Sequence, residues 1–191
     1  MRLRKLTALA GVIITGSILA TTANFENTAL AQVQIQKCIS RKDVMDAQET
    51  WGKAIIAIGK AYKNGRNYKA LAASTVDRLY GYDQGTVLFK PTKASRGQFR
   101  LTRAQAISYF VKGIVPEDTG FALQPWSRVR FENAGMSLGC NDAVTMGNYY
   151  FTDANTGRAT KVEYTFGYRR DKYGKLRIDL HHSSLPFNPA Q

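Results

Sequence analysis

The 191-residue chain has only two histidines and two cysteines, and its 27 Lys and Arg outnumber 14 Asp and Glu for a formal net charge of +13. That shortage of soft ligands argues against a catalytic zinc, which takes three protein ligands plus a water. The histidines, His181 and His182, are neighbours in a strand-like run. They face opposite sides and do not hold one metal between them. No H-E-x-x-H, P-loop or G-x-G-x-x-G signature occurs, which removes the zincin, P-loop and dinucleotide-binding classes. No cofactor is expected. The cations are spread over the whole chain with no dense run, so the charge reads as a basic soluble surface and not as a nucleic-acid partner. There is no internal repeat and no low-complexity segment. The apolar run from Leu6 to Ala20 is too short for a comfortable membrane span.

That run follows a basic head, Met1-Arg2-Leu3-Arg4-Lys5, and precedes an A-x-A site at Ala29-Leu30-Ala31. This is the layout of a secretory signal peptide over residues 1–31, which leaves a single domain over residues 32–191 with no membrane insertion after cleavage. The leader takes away three cations and Glu26, so the remainder stays strongly basic. In an oxidising compartment Cys38 and Cys140 can form one disulfide or stay as two buried thiols; spacing does not choose.

From Ser40 to about Asn64 the residues Val44, Ala47, Trp51, Ala54, Ile55, Ile58 and Tyr62 recur at helical steps. Ser40 with Asp43 stands close to a capping box. A second, weaker helix is expected over Asn67 to Leu79. Thr86 to Lys90 reads as a short strand stopped by Pro91. A third helix is capped by Thr102 with Gln105 and runs to about Lys112, its stripe made by Ile107, Phe110 and Val111. After Pro116 come strand-like runs: Trp126 to Phe131, Ala143 to Thr152, Ala159 to Arg169 and Lys175 to Ser184, with hairpin turns at Asn155-Thr156-Gly157 and Asp171 to Gly174. Helices first and an antiparallel meander after is the α+β class. The expected form is a cystatin-like cone, a curved antiparallel sheet wrapped around the long N-terminal helix.

The last strand carries the candidate chemistry. Alternation puts Leu176, Ile178 and Leu180 on one face, and continuing the count puts His182 and Ser184 on it too. An apolar face that ends in a histidine and a hydroxyl marks the polar end of a pocket. Hydroxyls can orient a water and a small oxyanion without metal. Thr92, just after Lys90-Pro91, is a further candidate, although its own surroundings read as a loop cap. Tyr109 lies off its helix's apolar stripe, so periodicity alone does not bury it; Tyr80, Tyr82 and Tyr164 are alternatives.

The closing run His181-His182-Ser183-Ser184-Leu185-Pro186-Phe187 resembles the closing motif of the iota-class carbonic anhydrases. So do Val87-Leu88-Phe89-Lys90-Pro91-Thr92, Ser108-Tyr109-Phe110-Val111, Arg130-Phe131-Glu132-Asn133 and Met146-Gly147-Asn148-Tyr149-Tyr150-Phe151. The likeness covers about Ser40 to Phe187 and is greatest to single-domain, metal-free cyanobacterial members. It implies a fold like the association domain of calcium/calmodulin-dependent kinase II and a homodimer formed through the sheet. It implies reversible hydration of carbon dioxide to bicarbonate and a proton, in the periplasm or thylakoid lumen. Carried over, the family's threonine, tyrosine, histidine and serine fall on Thr92, Tyr109, His182 and Ser184. Thr92, Tyr109 and Ser184 would hold the substrate, and His182 or a chain of waters would take the proton. A non-catalytic oligomeric association module and a cyclase- or isomerase-like cone enzyme are the competing readings of the same fold.

Overall fold

The computed structural model describes residues 37–189. The expected signal peptide, residues 1–31, lies outside the described residues. Three α-helices and one short strand precede four long strands: α1 Arg41–Lys63, α2 Tyr68–Leu79, β1 Leu88–Lys90, α3 Arg103–Val111, a 3-10 turn Phe121–Leu123, then β2 Trp126–Leu138, β3 Asp142–Asp153, β4 Ala159–Arg170 and β5 Leu176–Ser184. Two capping boxes start helices: Ser40 with Asp43 opens α1, and Thr102 with Gln105 opens α3. Each satisfies amides that the first turn leaves without a helical partner.

The sheet order is β1-β5-β4-β3-β2. β2 to β5 form the expected antiparallel meander, and β1 adds to β5 in parallel, so the sheet is mixed. β2 runs seven residues past the expected end at Phe131, through the polar stretch Glu132-Asn133. Its far end holds the spelling Gly135-Met136-Ser137-Leu138-Gly139. This G-x-S-x-G lies on a strand with Ser137 exposed, not on the strand-to-helix turn that a nucleophile elbow requires.

α1 lies on the inner face of the sheet in this α+β cone. Its stripe buries Val44, Trp51, Ile55 and Ile58. Trp51 is the hub, edge-on to Phe110, Phe131, Phe151, Phe166 and His181 at 5.5–6.5 Å between ring centres. Edge-to-face pairs of this kind add about 0.5–1.5 kcal/mol each beyond the area they bury. A disulfide joins Cys38, just ahead of α1, to Cys140 in the β2–β3 turn across 102 residues. Closing a loop of that length stabilises the fold by on the order of 2–4 kcal/mol.

Two bulges shape the inner face. In β2 the register slips between Asn133 and Gly135, opposite Gly147 of β3. In β5 it slips by one residue: Gly167 of β4 pairs with Leu180 and Tyr168 with Ile178, leaving Asp179 without a partner. Both positions need glycine on the facing strand. A Cβ on Gly167 would stand 2.8 Å from the Leu180 Cβ, and one on Gly147 would collide with the Glu132 carbonyl oxygen.

Candidate active site

The β5 bulge reverses which side chains face inward, and this corrects the expected facing of His182 and Ser184. Ile178 points into the core, but beyond Asp179 the count starts again, so Leu180, His182 and Ser184 face out. His182 is exposed, and Ser184 donates to Glu163 on the outer face at 3.3 Å. His181 and Ser183 take the inward positions and are each 2% exposed. The histidine–serine pair at a polar strand end exists, displaced by one residue from the positions that plain alternation gives.

Thr92 comes to this pair because β1 and β5 are parallel. Their C-terminal ends reach the same edge of the cone, with Lys90 beside His182. Pro91 ends the strand, having no N–H to extend the ladder. The turn then places Thr92 so that its hydroxyl donates to Ser183 Oγ at 2.9 Å. The Lys90 ammonium donates to the Ser183 carbonyl at 3.1 Å and ties the two strand ends together. Tyr149, an inward residue of β3, brings its phenol near both Ser183 and Thr92, whose hydroxyls counter part of the upward push of burial on its pKa.

Tyr109 is buried at 4% exposure, although it lies off the helical stripe. The reason is that α3 is short and covered on several sides, with Ala106, Ser108, Tyr109, Phe110 and Val111 all buried. Its ring stacks on Phe121 at 5.5 Å, and its hydroxyl accepts from the Lys93 amide at 3.4 Å. Burial pushes the Tyr109 and Tyr149 phenols above their ordinary range, so both stay protonated at neutral pH and serve as donors. Burial, followed by the charge of His182, pushes His181 well below the usual histidine value.

A cavity of about 410 Å³ opens beside these groups, walled by Thr92, Lys93, Phe121, Phe151, Val162 and Arg158. Gln124, Thr156, Thr160 and the Asp153 carboxylate line it as well, so it pairs an apolar wall with two cations and one anion, and of the cluster Thr92 is the residue that lines it. The loop after Thr92 is pinned by Glu117, which accepts from the amides of Ser95, Arg96 and Gly97 at 2.9–3.1 Å. Of the alternative tyrosines, Tyr80 contacts His181 and Tyr82 donates to the Arg100 carbonyl. Tyr164 belongs to a separate cluster with Gln48, Asn133 and Thr145. Among the described residues no group of three or more His, Cys, Asp or Glu could hold a metal ion.

Tyr149 had no assigned role in the sequence reading. It lies on the same face of β3 as Phe151, and a tyrosine on a core-facing strand position must bring its hydroxyl to a partner.

The sequence profile of a family described as metal-independent carbonic anhydrase matches residues 42–185. The chain belongs to that family. A metal-independent carbonic anhydrase of Nostoc sp. is 41% identical over 187 residues, 94% of this chain and 91% of its own. A crystal structure of a cyanobacterial iota-carbonic anhydrase complexed with bicarbonate is 46% identical. It superposes with a TM-score of 0.76 over 79% of this chain and 94% of its own. The metal-independent carbonic anhydrase family thus supplies the reaction, and the cluster around Ser183 is the place in this chain to look for it.

Proposed function

We propose that this carbonic anhydrase hydrates carbon dioxide at the cluster of Thr92, Tyr109, Tyr149, His181 and Ser183. The observation that carries the site is the Thr92–Ser183 hydroxyl pair, with the Tyr149 phenol near it and a cavity that opens at Thr92. A metal makes hydroxide by lowering the pKa of bound water from about 15.7 to about 7. Forming hydroxide at neutral pH without that help costs roughly 12 kcal/mol. The hydroxyl site therefore works by concerted attack. A water held by Thr92 and Ser183 forms its O–C bond to carbon dioxide while its O–H bond breaks. Tyr149 and Tyr109 donate to the oxygens that gain charge. The proton leaves along hydroxyls and water to the open rim beside Thr92. Buried His181 is a poor acceptor for it, which changes the role expected for the histidine. Phe121, Phe151 and Val162 hold carbon dioxide, and Lys93 and Arg158 attract the bicarbonate product.

We also read the chain as exported to the periplasm or thylakoid lumen, a reading supported by the Cys38–Cys140 disulfide. A homodimer fits the outer face of the sheet, where register puts exposed Leu88 and Val144 in one row and Met146 in the next; sedimentation tests it.

The site reading is tested by stopped-flow hydration of carbon dioxide with a pH indicator, on protein starting at Gln32 after exhaustive chelation and metal analysis. Turnover that persists without metal is the expected result. Turnover that vanishes and returns with zinc or manganese would sink the hydroxyl mechanism.

A further inference from the structure

His181 is held by a chain of hydrogen bonds that fixes where its proton sits. The Trp51 indole N–H, a group that can only donate, points at the Tyr80 hydroxyl at 2.9 Å. That hydroxyl lies 2.9 Å from His181 Nδ1. Tyr80 is 1% exposed, and its oxygen already accepts from Trp51, so its single hydrogen is left to give to Nδ1. Nδ1 must then present its lone pair, and the ring hydrogen of the neutral imidazole sits on Nε2. Nε2 is buried and has no hydrogen-bond partner among the described residues. The ring itself is immobilised, stacked on Phe89 at 4.5 Å and meeting Phe166 edge-on at 4.1 Å. One alternation further along the inward face stands Ser183. An unpartnered, fixed N–H donor among buried aromatic rings costs stability unless something arrives to accept from it.

We propose that Tyr80 is a positioning residue that locks His181 as the Nε2–H tautomer, so that His181 acts as a neutral hydrogen-bond donor to the bicarbonate oxygens and not as the proton acceptor. Trp51 completes the lock by occupying the Tyr80 oxygen. For His181 to become a cation, Nδ1–H would have to face the Tyr80 O–H, which could turn away only by losing its acceptor. The inference rests on the hydration site proposed above. It assigns a role to Trp51 and Tyr80, neither of which belongs to the hydroxyl cluster.

The test uses the whole mature protein labelled with nitrogen-15 histidine. With only two histidines in the chain, the spectrum holds two rings, and His182→Asn assigns them. The expected wild-type spectrum shows His181 as one neutral Nε2–H tautomer that does not change between pH 6 and 8, with the Nε2 signal shifting when bicarbonate is added. Tyr80→Phe should give a tautomer mixture and a roughly tenfold loss of turnover, as expected for losing one well-aimed donor. An Nδ1–H tautomer, a ring protonated at neutral pH, or a Tyr80→Phe protein with unchanged tautomer would overturn the proposal. If Tyr80→Phe fails to fold, the wild-type spectrum alone still decides. If chelated wild type shows the tautomer but has no turnover, the hydration site is at fault and the lock stands.

Discussion

The inner face of the sheet carries two polar clusters, and their hydrogen-bond accounts differ. Toward one end, Gln48, Asn133, Thr145 and Tyr164 close on one another. Asn133 Oδ1 accepts from Gln48 at 2.8 Å, Thr145 at 2.7 Å and Tyr164 at 2.6 Å, and Asn133 Nδ2 donates back to Gln48 at 2.9 Å. No buried polar atom of that cluster lacks a partner. Around Ser183 the account stays open: His181 Nε2 has no partner, and Thr92 looks into a cavity. Each cluster lies near a bulge with a glycine opposite. A closed network specifies a fold, because each member satisfies its neighbours and none is left for a ligand. An open one leaves a donor for a small molecule, and it is that donor, not space, that separates the two, since a cavity of about 300 Å³ also borders Gln48 and Asn133.

The largest expected effect breaks the open cluster alone. Ser183→Ala should lower the hydration rate by about 100-fold, the cost of losing one of the two hydroxyls that hold the attacking water in place. Ser184→Ala, one residue on but on the outer face, should stay within about twofold, since its lost contact is a surface one to Glu163. Stopped-flow rates on both variants, with melting curves to show that each is folded, make the comparison. Equal losses would mean that the bulge at Asp179 does not set the facing of β5.

That bulge is also where the sequence could not be read by periodicity. The three helices, both capping boxes, two hairpin turns and the antiparallel order of the last four strands were legible, because each depends on local chemistry repeated over a few residues, whereas the parallel place of β1 beside β5 was not. Thr92 and Tyr109 were placed by resemblance, and the structure brings both to the same end of the cone. The histidine–serine pair came out one residue late, because a single extra residue reverses every later side chain and alternation has no way to see it. The one visible signal was Gly167 in the middle of an otherwise aromatic and β-branched strand, which is where a bulge or close approach is to be suspected. Gly167→Ala sharpens the point. Its Cβ would meet the Leu180 Cβ at 2.8 Å, so β5 must move away. We expect a loss of about 1–3 kcal/mol in denaturant unfolding, the usual cost of overpacking. Turnover should fall about tenfold as well, since about an ångström of misplacement is enough to cost that much. Unchanged turnover in a destabilised protein would show that His181 and Ser183 tolerate that shift.

The closed cluster should respond in the opposite sense. Asn133→Ala removes the shared acceptor of three donors, all of them on residues that are almost fully buried. Chemical denaturation should report a loss of about 1–3 kcal/mol, the cost of leaving buried donors without a partner. The hydration rate per folded molecule should stay within about twofold of the parent at a temperature where the variant is folded. A selective loss of rate with stability intact would erase the distinction between the two clusters and make the Gln48 side part of the site.

The smallest expected effect concerns acid, and it belongs to the rim of the open cluster. Hydrogen bonds from the Arg96 amide, then the Ser95 hydroxyl and the amides of Ser95 and Gly97, hold the Glu117 carboxyl down at about 2, against an ordinary 4.5. A carboxylate whose folded value is depressed favours the folded form above its unfolded value and loses that contribution as pH falls through the folded one. For Glu117 the window runs from 4.5 down to about 2. Because the group sits at the surface, the effect on global melting should be slight, and it should appear in the loop it pins. Protection of the Arg96 and Gly97 amides, taken against their intrinsic exchange rates at each pH, should fall across that window in the parent and change less in Glu117→Gln, whose neutral side chain still accepts but does not titrate. Since this loop follows Thr92 directly, the open cluster should loosen with acid before the closed one does. Simultaneous loosening of the Gln48–Asn133 end, read from the Thr145 amide, would mean that the cone responds to acid as one unit and that its two ends differ only in chemistry.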